Sequence, residues 1–338
     1  MTTHDHGPIR TLHSVVDGSE LGAEIKRLWG LSDPFYCELL ARGMNDVYLV
    51  RSGEARYAAR VWRADTQNEG RVTWELEFLR HLKAKGIPVI AALPDREGNL
   101  SFSVDAPEGR RYVCLFEWAE GRDFALVPTP ELSYRVGKAV GEMNVAGLDF
   151  AQPCPRPIDF PGAQIRDKFP SLVARLFGRT ADHRFYGDLC ERIAAGLEAA
   201  YAEGVPMGPI HGDVHALNIF VREDGSFSLV DFDTCGEAHL VHDAVSFTWA
   251  NTIFHDNRGM KGLDAAVNDA YMEGYEAARP LSAVERKYLP LFTAAKEFSN
   301  MTGMADAGRY VGHLSLNERV FDWYTRSVRR HAEAAGLI

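Results

Sequence analysis

His211-Gly212-Asp213-Val214-His215-Ala216-Leu217-Asn218, followed by Asp231-Phe232-Asp233, is the stretch on which the reading of this chain turns. Asp213 and Asn218 stand five residues apart, and Asp231 comes thirteen residues after Asn218. Between them, Asn218-Ile219-Phe220-Val221, the turn signal Asp224-Gly225 and Phe227-Ser228-Leu229-Val230 read as a two-stranded hairpin. A carboxylate, an amide and a second carboxylate distributed in this way match the needs of phosphoryl transfer. One carboxylate accepts the attacking hydroxyl's proton, while the amide oxygen and the other carboxylate hold Mg²⁺ against nucleotide phosphates. Asp213 is expected in the first role, Asn218 and Asp231 in the second. An asparagine carbonyl suits metal work because it ligates without adding negative charge beside a triphosphate.

Outward from this segment the text changes character. Glu38 to Trp62 reads as strand, turn, strand around Ser52-Gly53-Glu54, and Val72, Leu76, Leu79 and Leu82 recur at helical spacing until Gly86 and Pro88 stop the helix. A further strand pair is expected around Asp95-Arg96-Glu97-Gly98, ending in Tyr112-Val113-Cys114-Leu115-Phe116. Beyond Glu117 to Gly121 the chain is mostly helical, and strand text returns once, in the hairpin after Asn218. Pro153 to Pro161 reads as a rigid loop between helices. The expected organisation is an α+β, bilobal arrangement. A small antiparallel-sheet lobe with one helix (1–117) is joined by a hinge (118–121) to a larger, mainly helical lobe (122–338), leaving a cleft between them.

The segment HGDVHALN with its downstream DFD resembles the catalytic loop and metal-binding segment of the aminoglycoside phosphotransferase/choline kinase family, small-molecule kinases related to protein kinases. The order of lobes, helix and hinge is similar too, from about Leu39 to Trp249. The resemblance implies a protein-kinase-like fold, ATP as donor with GTP left open, Mg²⁺ as metal, and a hydroxyl acceptor. It places Arg60 against the nucleotide phosphates, where protein kinases use lysine; an arginine fork grips phosphate oxygens equally well. Its expected partner is a glutamate on the following helix. At 100° per residue Glu75 falls inside the Val72/Leu76/Leu79/Leu82 stripe and Glu77 nearly opposite, so Glu75 is chosen. A carboxylate on a core-facing stripe is costly unless paired, which independently calls for Arg60 nearby.

The same resemblance puts a phosphate-covering loop at Arg42-Gly43-Met44-Asn45-Asp46, with backbone amides around Gly43 and Asn45, although the loop does not spell GxGxxG. It implies backbone contacts from Glu117 to Ala119 to adenine, and makes Asp243 a buried support of the catalytic loop. Only eleven residues separate Asp231 from Asp243, so no long phosphorylatable activation loop is expected. His211 and His215 are expected to orient the loop; zinc ligation lacks a Cys or further His at suitable spacing. Acceptor candidates are Glu237, Trp249, Tyr275, Glu297 and Asn300, residue types that equally serve cores and solvated faces.

At 338 residues the chain is long enough for two or three domains of roughly 100–200 residues each. Its 46% hydrophobic and 25% charged residues exclude wholesale disorder. The net charge is −10, with 15 Lys+Arg against 17 Asp+Glu up to residue 117 and 22 against 30 beyond it. No basic run suggests nucleic acid or an anionic membrane, and the acidic C-terminal part favours a cationic acceptor such as an aminoglycoside or another amine-bearing antibiotic, while equally allowing an amino alcohol such as choline or homoserine. Sugar and nucleoside hydroxyls stay open, as do two other readings: a protein Ser/Thr kinase of the bacterial stress-response type and a non-catalytic nucleotide-binding pseudokinase. Five scattered cysteines without C-x-x-C spacing fit reduced thiols in the cytoplasm. Neither a secretion signal nor a membrane-spanning run is expected.

Overall fold

The computed structural model describes residues 9–64, 66–155, 161–176, 178–311 and 317–338. The chain falls into two compact units, one made of Met1–Leu76 and Ala91–Trp118, the other of Glu77–Ile90 and Ala119–Ile338. The architecture is mixed α+β, with the large antiparallel sheet in the N-terminal part and mostly helices in the C-terminal part, as expected.

The first unit is built on five antiparallel strands, β1 (Phe35–Arg42), β2 (Asp46–Ser52), β3 (Ala55–Val61), β4 (Phe102–Ala106) and β5 (Gly109–Glu117), in the spatial order β1-β2-β3-β5-β4. Side chains alternate across β3, and the two sides are covered differently. Ala59 and Val61 join Tyr48, Val50, Val113 and Leu115 in a core with Leu21 and Ile25 of α1 (Gly18–Trp29), a helix additional to the one read from the sequence. Trp62 and Cys114 instead meet Val72 and Leu76 of α2 (Glu69–Ala84). Asp17 starts α1 by accepting from the amides of Ser19 and Glu20, which satisfies donors that the first helical turn leaves unpaired.

The strand pair expected around Asp95 to Gly98 is corrected by the structure: the turn between β4 and β5 lies at Pro107-Glu108. Asp95 closes a turn of its own by accepting from the amides of Glu97 and Asn99, so the turn signal is real. The residues before it, beside Pro88 and Pro94, form only isolated bridges. Proline removes the donor that a continuous ladder would need.

In the second unit the helices are α3 (Pro130–Gly147), α4 (Pro161–Val173), α5 (Thr180–Ala202), α6 (Val241–Arg258), α7 (Ala265–Ala278), α8 (Ala283–Val311) and α9 (Glu318–Ala334). Residues 156–160 of the proline-rich stretch lie outside the described residues. Glycines let α3 and α7 touch backbone to backbone: a Cβ on Gly137 would lie 2.0 Å from the Tyr271 carbonyl, and one on Gly274 1.9 Å from that of Tyr134. Strand text returns more than the once expected. Besides β8 (Ile219–Val221) and β9 (Phe227–Leu229), joined at their edge by β6 (Arg122–Asp123), a second small sheet pairs β7 (Met207–Ile210) with β10 (Gly236–His239). Its four-residue strands are too short to show an alternating pattern. No disulfide joins any of the five cysteines, and among the described residues no helix is long and apolar enough to cross a membrane.

Candidate active site

The pairing of Ile210 with Gly236 in the β7–β10 ladder makes residues 211–235 leave and re-enter at one place. Inside this excursion Ile219 faces Leu229, and the Val230 amide donates to the Asn218 carbonyl at 3.0 Å. Asn218 therefore sits beside the residue that precedes Asp231. Its own amide donates to the His215 carbonyl at 2.9 Å, and its side-chain Nδ2 donates to the Asp213 carbonyl at 3.1 Å. The side-chain nitrogen is thus engaged inside the loop, and Oδ1 is the end available to a ligand.

Two backbone conformations shape this turn. Gly212 has φ +85°, and a Cβ there would fall 2.6 Å from the Thr234 carbonyl, so only glycine lets the two strands of the excursion close. Asp231 has φ +64°, the one positive value outside glycine among the described residues. Aspartate is one of the few residues with a Cβ that visits this conformation, and residues held in it concentrate at functional positions.

The loop is held from below by Asp243, which is fully buried at the start of α6. Its Oδ1 accepts from the Gly212 amide and its Oδ2 from the His211 amide and Asn144 Nδ2, each at 2.9 Å. Tyr271 donates to the Asp243 carbonyl at 3.0 Å, and Tyr275 donates to Asn144 Oδ1 at 2.8 Å. The close α3–α7 crossing thus carries a polar network that anchors the turn, with Asp243 fully engaged by protein donors.

Both loop histidines are fixed by amides two residues further on. Asp213 N donates to His211 Nδ1 at 3.3 Å, and Leu217 N donates to His215 Nδ1 at 3.2 Å. An Nδ1 that accepts leaves Nε2 as the N–H of the ring. His211 donates it to the Val230 carbonyl at 3.0 Å and lies against Phe232, tying the two arms of the excursion together. Burial holds His211 below the ordinary histidine range, in keeping with a neutral, orienting ring.

The Asp213 carboxylate has two cationic or donor neighbours. Lys296 Nζ of α8 donates to Oδ1 at 2.8 Å and to the Gly212 carbonyl at 2.9 Å, and His215 Nε2 stands 3.4 Å from Oδ2. Burial pushes the Asp213 carboxyl upward, but the Lys296 ammonium and His215 overcome it and hold the group well below the usual carboxylate range. Lys296 was missed by the sequence reading. The available signal was a lysine inside the apolar text of α8, among Phe292, Ala295 and Phe298, where a cation needs a counter-charge.

The acceptor candidates fare unequally. Trp249 presents its ring 5.6 Å from Lys296 Nζ. Tyr275 belongs to the supporting network, Glu297 is buried and bonded to His331, and Asn300 donates to Tyr324 at 3.3 Å. Glu237 lies in β10 opposite Pro209.

In the first unit Arg60 and Glu75 meet in a salt bridge, with 6% and 3% of their surfaces exposed. The guanidinium also stacks on Trp62 and Phe116, at 4.3 and 4.9 Å from the ring centres. Glu117 pairs with Tyr57 at the end of the β3–β5 ladder, and Ala119 is the second residue after it, in the other unit. In the loop from β1 to β2 the Gly43 amide donates to the Asn45 carbonyl at 3.0 Å, so it is engaged within the loop itself. The loop's base is firm: Asp46 is buried and accepts from Arg111 at 2.8 Å. Among the described residues no three His, Cys, Asp or Glu side chains cluster in a way that could hold a metal by themselves.

Residues 37–286 match the model of the phosphotransferase enzyme family. The chain belongs to that family. It is accordingly a phosphotransferase with a hydroxyl acceptor, a small-molecule kinase. An uncharacterized protein of Deinococcus radiodurans is 31% identical over 321 residues, covering 92% of this chain and 89% of that protein. The homoserine kinase of Neisseria meningitidis serogroup B is 29% identical over 254 residues, covering 74% and 76%. Among solved structures, an amicoumacin kinase in complex with AMP-PNP, Ca²⁺ and Ami superposes with a TM-score of 0.68 at 14% identity, covering 94% of each chain. A microcompartment-associated aminopropanol kinase gives 0.67 at 18% identity, covering 95% of this chain and 99% of its own. These likenesses show the protein-kinase-like fold of small-molecule phosphotransferases.

Proposed function

We propose that this phosphotransferase moves the γ-phosphoryl group of ATP to the hydroxyl of a small amine-bearing compound, with Asp213 as general base and Asn218 and Asp231 as the residues that hold Mg²⁺. The observation that supports this most directly is the junction of the two arms of residues 211–235. It seats Asn218 between the Asp213 carbonyl and Val230, next to Asp231. An amide oxygen and a carboxylate are hard oxygen donors suited to Mg²⁺, which commonly takes one or two protein ligands and completes its shell with phosphate oxygens and water. When bound, the ion neutralises charge on the nucleotide phosphates.

The acceptor oxygen forms a bond to the γ-phosphorus as the bridging P–O bond breaks and ADP departs, and the hydroxyl proton passes to Asp213. An Asp213 kept ionised by Lys296 and His215 is ready to accept a hydrogen bond from that hydroxyl at neutral pH. In the first unit, Arg60 braced by Glu75 supplies a fixed cation for the phosphates, other amides of the Gly43–Asn45 loop cover them, and backbone groups from Glu117 to Ala119 meet adenine.

For the acceptor, an amino alcohol or hydroxy amino acid of the homoserine type ranks ahead of an aminoglycoside, because curated relatives named as homoserine kinases align over 64% to 97% of this chain. Such an acceptor carries the ammonium group that the acidic balance of residues 118–338 favours. The test is ADP formation from ATP and Mg²⁺ with L-homoserine, aminopropanol, choline and aminoglycosides in parallel. Turnover with homoserine or an amino alcohol supports the reading. Phosphate incorporated only into Ser/Thr of polypeptides would replace it with the protein-kinase alternative, and nucleotide binding without any transfer with the pseudokinase one. Asp231→Ala is expected to abolish Mg²⁺-dependent ATP binding in a calorimetric titration; unchanged binding removes Asp231 from the metal site.

A further inference from the structure

We propose that Lys296 is a positioning residue of the phosphoryl transfer: from α8 it locks the Asp213 carboxylate into one orientation, leaving Oδ2 as the oxygen that meets the acceptor. The inference rests on the reading of Asp213 as general base. One ammonium reaches two adjacent acceptors of the catalytic turn, Asp213 Oδ1 at 2.8 Å and the Gly212 carbonyl at 2.9 Å. These two contacts fix both the side chain and the peptide that carries it. Oδ1 is then filled by a strong charge-assisted bond, whereas the contact of Oδ2 with His215 is long, at 3.4 Å. Asp213 retains 36% of its side-chain surface, so the group is open on one side while Lys296, with 9% of its side chain exposed, is not.

The ammonium is delivered by a braced element. The next residue of α8, Glu297, is fully buried and bonded to His331 of α9, and Phe292, Ala295 and Phe298 bury the same helix. The Trp249 ring of α6 stands 5.6 Å from Nζ and walls the lysine from another side. A buried ammonium needs acceptors, and the two oxygens of the turn supply them at 2.8 and 2.9 Å, so its geometry follows theirs. Displacing a reacting group by about 1 Å costs on the order of 10²-fold in rate, and a carboxylate released from Oδ1 rotates by more than that.

The experiment is a double-mutant cycle on Asp213 and Lys296, read as ADP release from MgATP with water as the phosphoryl acceptor and checked by thermal melting. Lys296→Met is expected to lower kcat about 10²-fold, with the KM for ATP within about twofold of the parent. Lys296→Arg, which restores a donor, should recover most of the loss. In the Asp213→Asn background, Lys296→Met should add nothing. A Lys296→Met enzyme with parental kcat, or a loss that multiplies with that of Asp213→Asn, or one that falls on KM alone, overturns the proposal. If Asp213→Asn itself keeps full turnover, the base assignment fails instead, and the two failures are told apart by which single variant stays active. Should Lys296→Met unfold, Lys296→Arg and Lys296→Gln at a temperature where both are folded carry the same comparison, Arg active and Gln impaired.

Discussion

One ion pair in each unit bears on the proposed chemistry, Arg60–Glu75 in the first and Lys296–Asp213 in the second, and the two are built for different ends. Arg60 and Glu75 are closed off at both ends, 6% and 3% exposed, with two aromatic rings on the guanidinium. Lys296 is enclosed, but its partner Asp213 keeps 36% of its side chain exposed. A pair enclosed on both sides fixes the position of a charge before any ligand arrives; a pair open on one side also leaves its anion exposed to solvent. Removing Glu75 takes the counter-charge from a buried guanidinium, whereas removing the Asp213 charge leaves Lys296 its bond to the Gly212 carbonyl.

That contrast can be broken by three measurements. The largest effect is expected for Asp213→Asn, which should lower kcat by about 10²–10⁴-fold while the melting temperature falls less than in Glu75→Gln. A variant that loses stability first and turnover only through it would erase the distinction. Next comes Glu75→Gln, which leaves the Arg60 charge buried without its counter-charge and should destabilise by about 3–5 kcal/mol, measured by denaturant unfolding. A loss below about 1 kcal/mol, typical of solvent-exposed pairs, would show that the pair is open after all. The smallest effect is a pH dependence belonging to the second unit. Burial lowers His239, and burial together with the Lys296 ammonium lowers His242 to about 3. Below their ordinary value of about 6.5 the unfolded chain binds protons that the folded chain refuses, so stability falls as pH drops from 6.5 toward 5, by at most about 1.4 kcal/mol per pH unit for each histidine. Melting curves at pH 7 and pH 5 check the sign, and His242→Asn should shallow the slope; a melting temperature that rises on acidification contradicts it.

The two pairs also differ in how far each was visible beforehand. Arg60 and Glu75 lie 15 residues apart on a strand and the helix that follows. The helical phase was enough to prefer Glu75 over Glu77, because the direction of a side chain on a short, regular element is set by local geometry. Asp213 and Lys296 lie 83 residues apart. No local periodicity links them, and the carboxylates and aromatics singled out near α8 as acceptor contacts turned out in part to be internal, as Tyr275 and Glu297 show. The turn at Asp95 is a similar case: its own side chain makes it a turn, but the strands beside it are decided by which segment can complete a ladder.

What the amino-acid order determined by itself was chemistry at short range: an Asp and an Asn five apart, a hairpin returning to a second Asp, and a phased Arg–Glu pair. Each follows from backbone geometry over a few turns or one hairpin. Only the tertiary structure decided the rest: α1 beneath the sheet, the β7–β10 ladder that closes residues 211–235, and the lysine that meets Asp213. These depend on contacts between residues far apart in the chain, where the energy comes from burial and charge compensation rather than from any local preference.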